Sequence, residues 1–554
     1  MRKNLKWIFL QNKGSYFALL ILVIIRFVMV GVNLTMAAVL SQFTEYTVGN
    51  SSYTLLSLLA VALLMFLVEG VALVAESVLK KKNYTSVEKK VRIQTINKIQ
   101  ISSLQSVRKY HDAELVSRLT KDAESVADCL QNIIENLFGG CLMAVAAALY
   151  LMILNWKLAV IILFSIPIMG FITSIFSPLL QKYNSEDKRN EDSNRVQMQE
   201  TILNLILTKV YQTADFMSQK VAVSYMKKKK SSIKLGVIEG VFSFLNSLTG
   251  STVFLIIMFF GAYFAERGEF SVGGLVAVLN LLNYIVWPFS NIGDSISKIN
   301  QASVSAQRII EIQTLPVDFG ATIEVGKTEN AVLVENVSFG YVDDCKILDH
   351  IQLALPAHGI VGIVGKSGKG KSTFLKLLMN IFQPQSGNIS IYTNDTKGNQ
   401  IAYVPSEGYV FCGSIAENIA FSNEIDCDKL FACAKLANAE EFIDMLNNGY
   451  QELIGEGNNQ LSSGQAQRIA LARAYYSDAH IKIFDEPTSN LDLISVNCFI
   501  KAMKKISKSC LCIIVTHDET LLSVCDKLYS VGNQSIKEIN RGEKGMVLKE
   551  ILEE

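Results

Sequence analysis

Two patterns of apolar and polar positions divide this chain. Up to about residue 300, apolar residues run on for some twenty positions or more at a time, with charged residues gathered between the runs. Crossing a bilayer core takes roughly 20 helical residues, and six runs suffice: 16–42, 53–79, 133–154, 157–180, 238–265 and 271–297. Little more than Asn155-Trp156-Lys157 separates the third from the fourth, and Glu266-Arg267-Gly268-Glu269 the fifth from the sixth. The segments 80–132 and 181–237 are polar and free of proline, yet keep apolar residues at helical spacing. That predicts helices that continue out of the membrane and return, rather than loops. Ahead of the first run, "MRKNLKWIFLQNKGSYF" reads as an amphipathic entry helix. The run itself is too long for a signal peptide and no small-residue cleavage pattern follows it.

Beyond residue 330 the pattern changes. Short β-rich runs (331–339, 346–355, 359–364, 389–393, 401–404, 480–484 and 510–516) alternate with helical stretches. This predicts an α/β module of about 220 residues. The polar stretch before it, marked by Pro316 and Gly320, reads as a linker. The expected organisation is a membrane domain over 1–310, a linker over 311–330 and the α/β module over 331–554.

Charge gives the orientation. Arg2, Lys3, Lys6 and Lys13, then Lys80-Lys81-Lys82, then the lysines of 227–230 all lie on one side of the predicted spans, and the opposite loops are short and nearly free of Lys and Arg. Both termini and the α/β module therefore face the cytoplasm, with the plasma membrane as the expected location. The lysine run reads as a solvated helix face near the membrane in preference to a lipid contact. Arg26, Glu69 and Glu239 lie within or beside apolar spans, where a charge is a functional candidate by default. Facing the bundle interior or snorkelling accounts for each equally well.

Composition agrees with this reading. Of 554 residues 50% are hydrophobic and only 19% charged, too apolar for an ordinary soluble enzyme. A net charge of +1 supplies no field for nucleic acid. Eight of the ten cysteines lie from Cys345 onward, with no CxxC pair, and the five histidines do not cluster with them. Reduced structural thiols are the expectation, and zinc is not.

The strongest chemical signal is "GIVGIVGKSGKGKSTF". A buried strand ends at Val364, the loop Gly365-Lys366-Ser367-Gly368-Lys369-Gly370-Lys371-Ser372 follows, and an apolar helix begins after it. This is G-x-x-x-x-G-K-[ST] between a strand and a helix. The glycines let backbone N–H groups curl around phosphate oxygens, and the helix N-terminus adds partial positive charge. Lys371 then serves the β- and γ-phosphates and Ser372 a Mg²⁺ ion. A second strand, in "IKIFDEPTSNLD", delivers Asp485 and Glu486 to its carboxyl end. Asp485 is placed to hold Mg²⁺ and Glu486 to polarise an attacking water. A third, in "LCIIVTHDE", presents His517 in the same manner. "LSSGQAQRIALARAYY" puts a Ser/Gly-rich turn at the start of a strong helix, a second anion-binding N-terminus. The predicted fold class is an all-α six-helix transmembrane domain with long cytoplasmic extensions, followed by an α/β P-loop NTPase cassette.

Together these elements resemble the ATP-binding cassette (ABC) family. The six spans fused ahead of the cassette look like a type IV, exporter-type half-transporter, and the likeness covers essentially the whole chain. It implies a dimer with ATP and Mg²⁺ held between one chain's P-loop and the other's signature loop. Binding of ATP then closes the cassettes and turns the membrane helices outward, and hydrolysis resets them. The partner is a second half-transporter, identical or different, and the cargo an amphipathic peptide, drug-like molecule or lipid. Residue by residue, the resemblance assigns Tyr341 to adenine stacking, 365–373 (ending at Thr373) to the Walker A loop, and Ser462, Ser463, Gly464 and Gln465 to the signature. Asp485 and Glu486 take Walker B and catalytic carboxylate, Ser489 to Asp492 the D-loop, and His517 the switch histidine. Gly455-Glu456-Gly457 resembles the loop that touches the membrane domain, and 113–126 and 200–212 the two coupling helices.

Three departures stand out: Ser406 where the family has Gln, Ser463 where Gly is usual, and Asn490 where Ala is common. Ser406 has no base or oxyanion hole beside it in the sequence, so it is not a nucleophile. With Glu486 and His517 intact, ATP hydrolysis is the expectation, slowed by these changes. An ATP-gated channel and a weakened-site subunit of a heterodimer are the competing readings.

Overall fold

Inside a bilayer, backbone polar groups must be satisfied within their own segment, so long apolar runs fold as helices. The computed structural model describes residues 2–49, 53–268, 270–317, 322–325, 329–341, 345–366, 368–393, 400–422, 424–455 and 461–539. It divides into two units, Met1–Gln100 with Tyr110–Leu315, and Ile101–Lys109 with Pro316–Glu554.

The first unit is helical throughout. A short α1 (Arg2–Gln11) leads into α2 (Tyr16–Val48) and α3 (Leu55–Ile101). The chain leaves this unit through α4 (Leu104–Val107), which belongs to the second, and resumes it as α5 (Asp112–Ser117), α6 (Ala123–Asn132) and α7 (Gly140–Leu154), joined by π-helical turns at Arg118–Asp122 and Ile133–Gly139. Then come α8 (Trp156–Leu203), a short α9 (Leu205–Val210), α10 (Ala214–Glu266) and α11 (Val272–Gln313). Among the described residues, Lys13–Val48, Leu55–Ile101, Asp112–Leu154 and Ala214–Glu266 are long and apolar enough to cross a membrane. The other two expected spans fall within α8 and α11, of 48 and 42 residues. At 1.5 Å per residue α8 and α10 run roughly 70–80 Å, more than twice a ~30 Å core, so their polar halves extend beyond it.

The tight links follow from local caps. Asn155 alone separates α7 from α8, and its side chain accepts hydrogen bonds from the N–H groups of Lys157 (3.0 Å) and Leu158 (3.2 Å). Ser271 caps α11 through Gly274 N–H at 2.9 Å, while Glu45 of α2 accepts the Gly273 N–H at 2.7 Å. One apolar cluster, with Ala37, Ala147, Leu158, Ile257 and Leu281, joins α2, α7, α8, α10 and α11. A second, with Ile8, Val87, Val126 and Ile309, joins α1, α3, α6 and α11. Arg26, left open by the sequence, faces the bundle interior: it pairs with Glu76 of α3 and lies 3.3 Å from Glu135. Lys80 completes the group, 2.7 Å from Glu76 and 2.5 Å from Glu135.

In the second unit the strands are β1 (Thr322–Val325), β2 (Asn330–Phe339), β3 (Leu348–Pro356) and β4 (Gly359–Val364), followed by helix α12 (Lys371–Leu378) and β5 (Ser386–Thr393). After β6 (Ile401–Val404) and β7 (Gly413–Ser414) comes a helical region: α13 (Ile415–Ala420), α14 (Cys427–Leu436), α15 (Glu440–Asp444), the short β8 (Leu453–Ile454) and α16 (Ser463–Tyr476). The chain closes with β9 (Ile481–Asp485), α17 (Leu493–Ile506), β10 (Leu511–Val515), α18 (Glu519–Ser523), β11 (Lys527–Gly532) and β12 (Ser535–Glu538). A six-stranded sheet has the order β12-β11-β4-β10-β9-β6, parallel except for β12. A four-stranded sheet, β1-β5-β2-β3, packs against it.

The seven predicted strands all exist. The sequence reading missed β1, β7, β8 and β12, which are short, and β11, a six-residue strand inside the sheet between β12 and β4. The stretch expected as a linker, 311–330, starts inside α11 and contains β1, which pairs in parallel with β5. The helical spacing of "SAQRIIEIQ" carries α11 on, burying Ile309 and Ile312. Residues 318–321 and 326–328, Gly320 among them, lie outside the described residues.

Strand parity fixes which side chains meet. Val361 and Ile363 of β4, Ile481 and Ile483 of β9, and Ile513 and Val515 of β10 enter the core shared with α12 and the four-stranded sheet. Ile360, Val364, Phe484, Cys512 and Ile514 enter the opposite core, against α16 and α17. Alternation then puts Asp485, two residues beyond Ile483, on the α12 side of the sheet.

Candidate functional site

Parallel strands in one sheet collect their loops at their carboxyl ends, where α/β proteins hold ligands. Here β4, β9, β10 and β6 end together: Ile363 pairs with Val515, Val515 with Asp485, and Phe484 with Val404. The loop after β4 is shaped by glycine. Gly365, Gly368 and Gly370 have φ of 151°, 76° and 105°, a region L side chains rarely adopt, and a Cβ on Gly365 would lie 2.3 Å from the Val531 carbonyl oxygen. Gly370 is the N-cap of α12, whose first residue is Lys371.

Lys371 is buried, and its ammonium bonds the Gly365 carbonyl and the Lys366 carbonyl (3.2 Å), both within its own loop. Burial holds it below the ordinary lysine range, opposed by the charges of Glu486 and Asp485. Asp485 is shifted the other way: burial raises its pKa, and the neighbouring Glu486 charge raises it further. Two carboxylates thus face one lysine across a partly dry site. That oxygen-rich, net-negative arrangement fits a hard divalent cation, and the glycine loop with its lysines fits phosphate. Ser372, next to Lys371, is exposed.

Glu486 follows β9 in a left-handed backbone, φ 46°, with its N–H held by the Val515 carbonyl at 2.8 Å. His517 is exposed just past β10, ahead of Asp518, which caps α18 through Thr520 N–H. Tyr341 follows β2. Its hydroxyl lies 3.2 Å from Thr373 Oγ1, and its ring rests edge-on against Phe339 and Phe382 while staying half exposed. The structure therefore gathers Tyr341, 365–373, Asp485, Glu486 and His517 around these strand ends. Ser367 lies outside the described residues.

The turn at Ser462 opens α16 and lies against the turn after β9, where a Cβ on Gly464 would lie 2.7 Å from the Asn490 carbonyl oxygen. Ser462 Oγ accepts the Gln465 N–H at 3.3 Å, and Gln465 Oε1 accepts the Ser462 N–H at 2.9 Å, a reciprocal cap on α16. Ser463 and Gly464 form its first turn. Among the described residues no hydrogen bond joins this turn to the phosphate loop. Of the 455–457 loop, Gly455 is described, at φ 109°, and Glu456 and Gly457 are not. The stretch 113–126 is helical across the π-turn, and 200–212 breaks at Asn204 to form α9.

Two residues escaped the sequence reading. Tyr403 shares its face of β6 with Ile401, so its hydroxyl reaches Asp485 Oδ2 (3.4 Å), and burial followed by the Asp485 charge pushes its pKa up to about 12. The alternation of "IAYV" carried that signal. Gln467 is wholly buried on α16, a polar residue among apolar neighbours.

Comparison with known proteins follows the same division. Residues 17–289 match the model of the ABC transporter transmembrane region, and residues 348–489 the model of the ABC transporter. The chain is 31% identical over 410 residues to the lactococcin-A transport/processing ATP-binding protein LcnC of Lactococcus lactis subsp. lactis, covering 72% of this chain and 57% of that protein. It is 30% identical over 387 residues to the alpha-hemolysin translocation ATP-binding protein HlyB of Escherichia coli, covering 67% and 54%. The chain thus spans less than two thirds of the length of these relatives. The structure of a bacterial Atm1-family ABC exporter with ATP bound matches with a TM-score of 0.78 at 19% identity, over 94% of this chain and 95% of that one. That likeness establishes the fold.

Proposed function

This chain belongs to the ABC transporter family, and on that premise we propose that it is an ATP-driven exporter that works as a dimer. The observation that carries this reading is the juxtaposition of Lys371, Asp485 and Glu486 at the mouth of a glycine loop, in one chain with a helical unit whose described residues include four helices long and apolar enough to cross a membrane. In it, the N–H groups of 365–373 and the Lys371 ammonium bind the triphosphate, and Tyr341 supports the adenine. Ser372 and Asp485 hold Mg²⁺, which, when bound, offsets charge on the phosphate oxygens. Glu486 accepts a proton from the attacking water, and His517 stabilises the γ-phosphate region. Ser462, Ser463, Gly464 and Gln465 present the N-terminus of α16, ordered by the reciprocal Ser462–Gln465 cap, to the nucleotide of the second copy. Both termini and the second unit lie on the cytoplasmic side of the plasma membrane.

The cargo is an amphipathic molecule, and a peptide is the favoured class. LcnC and HlyB carry transport or translocation of lactococcin-A and alpha-hemolysin in their names. The reading is tested by Mg²⁺-dependent ATP hydrolysis of the purified chain in lipid nanodiscs, beside Glu486→Gln. Loss of the general base is expected to lower turnover by about 10²–10⁴-fold while ATP is still bound. Equal rates in the two proteins would remove Glu486 from the chemistry.

A further inference from the structure

Three segments around the site meet backbone to backbone. They are the loop after β6, the turn after β9 and the first turns of α16. A Cβ on Gly408 would lie 2.4 Å from the Ala466 carbonyl carbon, and one on Gly464 2.7 Å from the Asn490 carbonyl oxygen. Side-chain amides then stitch the segments together. Gln467 Nε2 donates to the carbonyls of Pro405 (3.1 Å) and Pro487 (3.4 Å). Asn490 Nδ2 donates to the Ser406 carbonyl at 3.3 Å. The Ser489 hydroxyl donates to the Glu486 carbonyl at 3.1 Å, with the Ser406 carbonyl a more distant acceptor at 3.5 Å.

Glu486 stands at the head of this turn in a left-handed backbone that a side chain disfavours. Such a conformation persists only where its surroundings over-determine it. The N–H is held by β10, the middle of the turn by Gln467 at the Pro487 carbonyl, and the far end, among the described residues, by Ser489 and Asn490. Alanine at 490 has no donor to reach Ser406. Aspartate keeps the shape but sets an acceptor against an acceptor.

We propose that Asn490 is a positioning residue: its amide, clamped on the Ser406 carbonyl, fixes the turn 486–490 and with it the direction of the Glu486 carboxylate. Position 406 then contributes its backbone, which lets a serine stand there. The proposal rests on the reading of Glu486 as the base in ATP hydrolysis.

The test uses Asn490→Asp and Asn490→Ala in the whole chain, reconstituted in nanodiscs. A weakened positioning contact lowers kcat for Mg²⁺-ATP by about five- to tenfold and leaves KM within about twofold. In nucleotide-free protein, amide hydrogen exchange over 406–411 and 486–490 speeds up in both variants, while β4 and β10 exchange as before. Wild-type kcat in both variants, or unchanged exchange in both segments, would overturn the proposal. A merely structural role would raise exchange across the core strands and lower the unfolding midpoint, which also overturns it. A wild-type chain that hydrolyses no ATP refutes the catalytic reading instead, and hydrogen exchange then decides the clamp by itself.

Discussion

Glycine and buried amides set the tolerances of the site, residue by residue. At Gly408 the loop after β6 lies against the backbone of α16, and neither backbone can yield as the end of a flexible side chain would. Gly408→Ala is therefore expected to destabilise the chain by about 1–3 kcal/mol, the usual penalty of overpacking. Gly532→Ala, where an added Cβ meets nothing within 4 Å, serves as the control and leaves the thermal midpoint unchanged. Similar midpoints for the two variants would show that the loop moves freely off α16. The residues proposed for the phosphate chemistry were legible in the sequence because their constraints are local. A strand, a loop and a helix in immediate succession fix Lys371, and strand alternation fixes the face that Asp485 presents. Gln467 and Asn490 were not legible as contacts. Their partners are backbone carbonyls of loops more than 60 residues away in sequence for Gln467–Pro405 and more than 80 for Asn490–Ser406, and no periodicity records which loops approach.

The helices were legible for a related reason. Long apolar runs leave the backbone no alternative in a membrane, and Asn155 and Ser271 mark helix starts by the ordinary chemistry of caps. Hidden in the sequence was the charge arrangement between elements. Arg26 of α2, Glu76 and Lys80 of α3 and Glu135 ahead of α7 form one ion group, with the Glu76 side chain only 5% exposed. Glu76→Ala would leave Arg26 and Lys80 to share the more exposed Glu135. The loss is expected to be about 3 kcal/mol or more, since removing one partner strands the other charge. Replacing both Arg26 and Glu76 with methionine is expected to cost less than Glu76→Ala alone. Thermal unfolding in detergent micelles reads both values, and a double variant as unstable as the single one would deny the ion group this role. Of the strands missed in the sequence, β11 and β12 are joined by a turn through Asn533 and Gln534 at φ 48° and 60°. Neither is the glycine that usually announces such a hairpin.

For the whole molecule, the central claim is that ATP hydrolysis at the strand ends drives cargo across the membrane. The measurement that bears on it most directly is uptake into inside-out vesicles that carry the chain, with ATP outside and a panel of labelled amphipathic peptides, lipids and dyes. The wild-type chain is predicted to accumulate at least one peptide in an ATP-dependent manner, and Glu486→Gln vesicles with the same amount of protein to accumulate none. Accumulation that proceeds equally in Glu486→Gln vesicles, or wild-type vesicles that hydrolyse ATP and accumulate nothing from the panel, would contradict it.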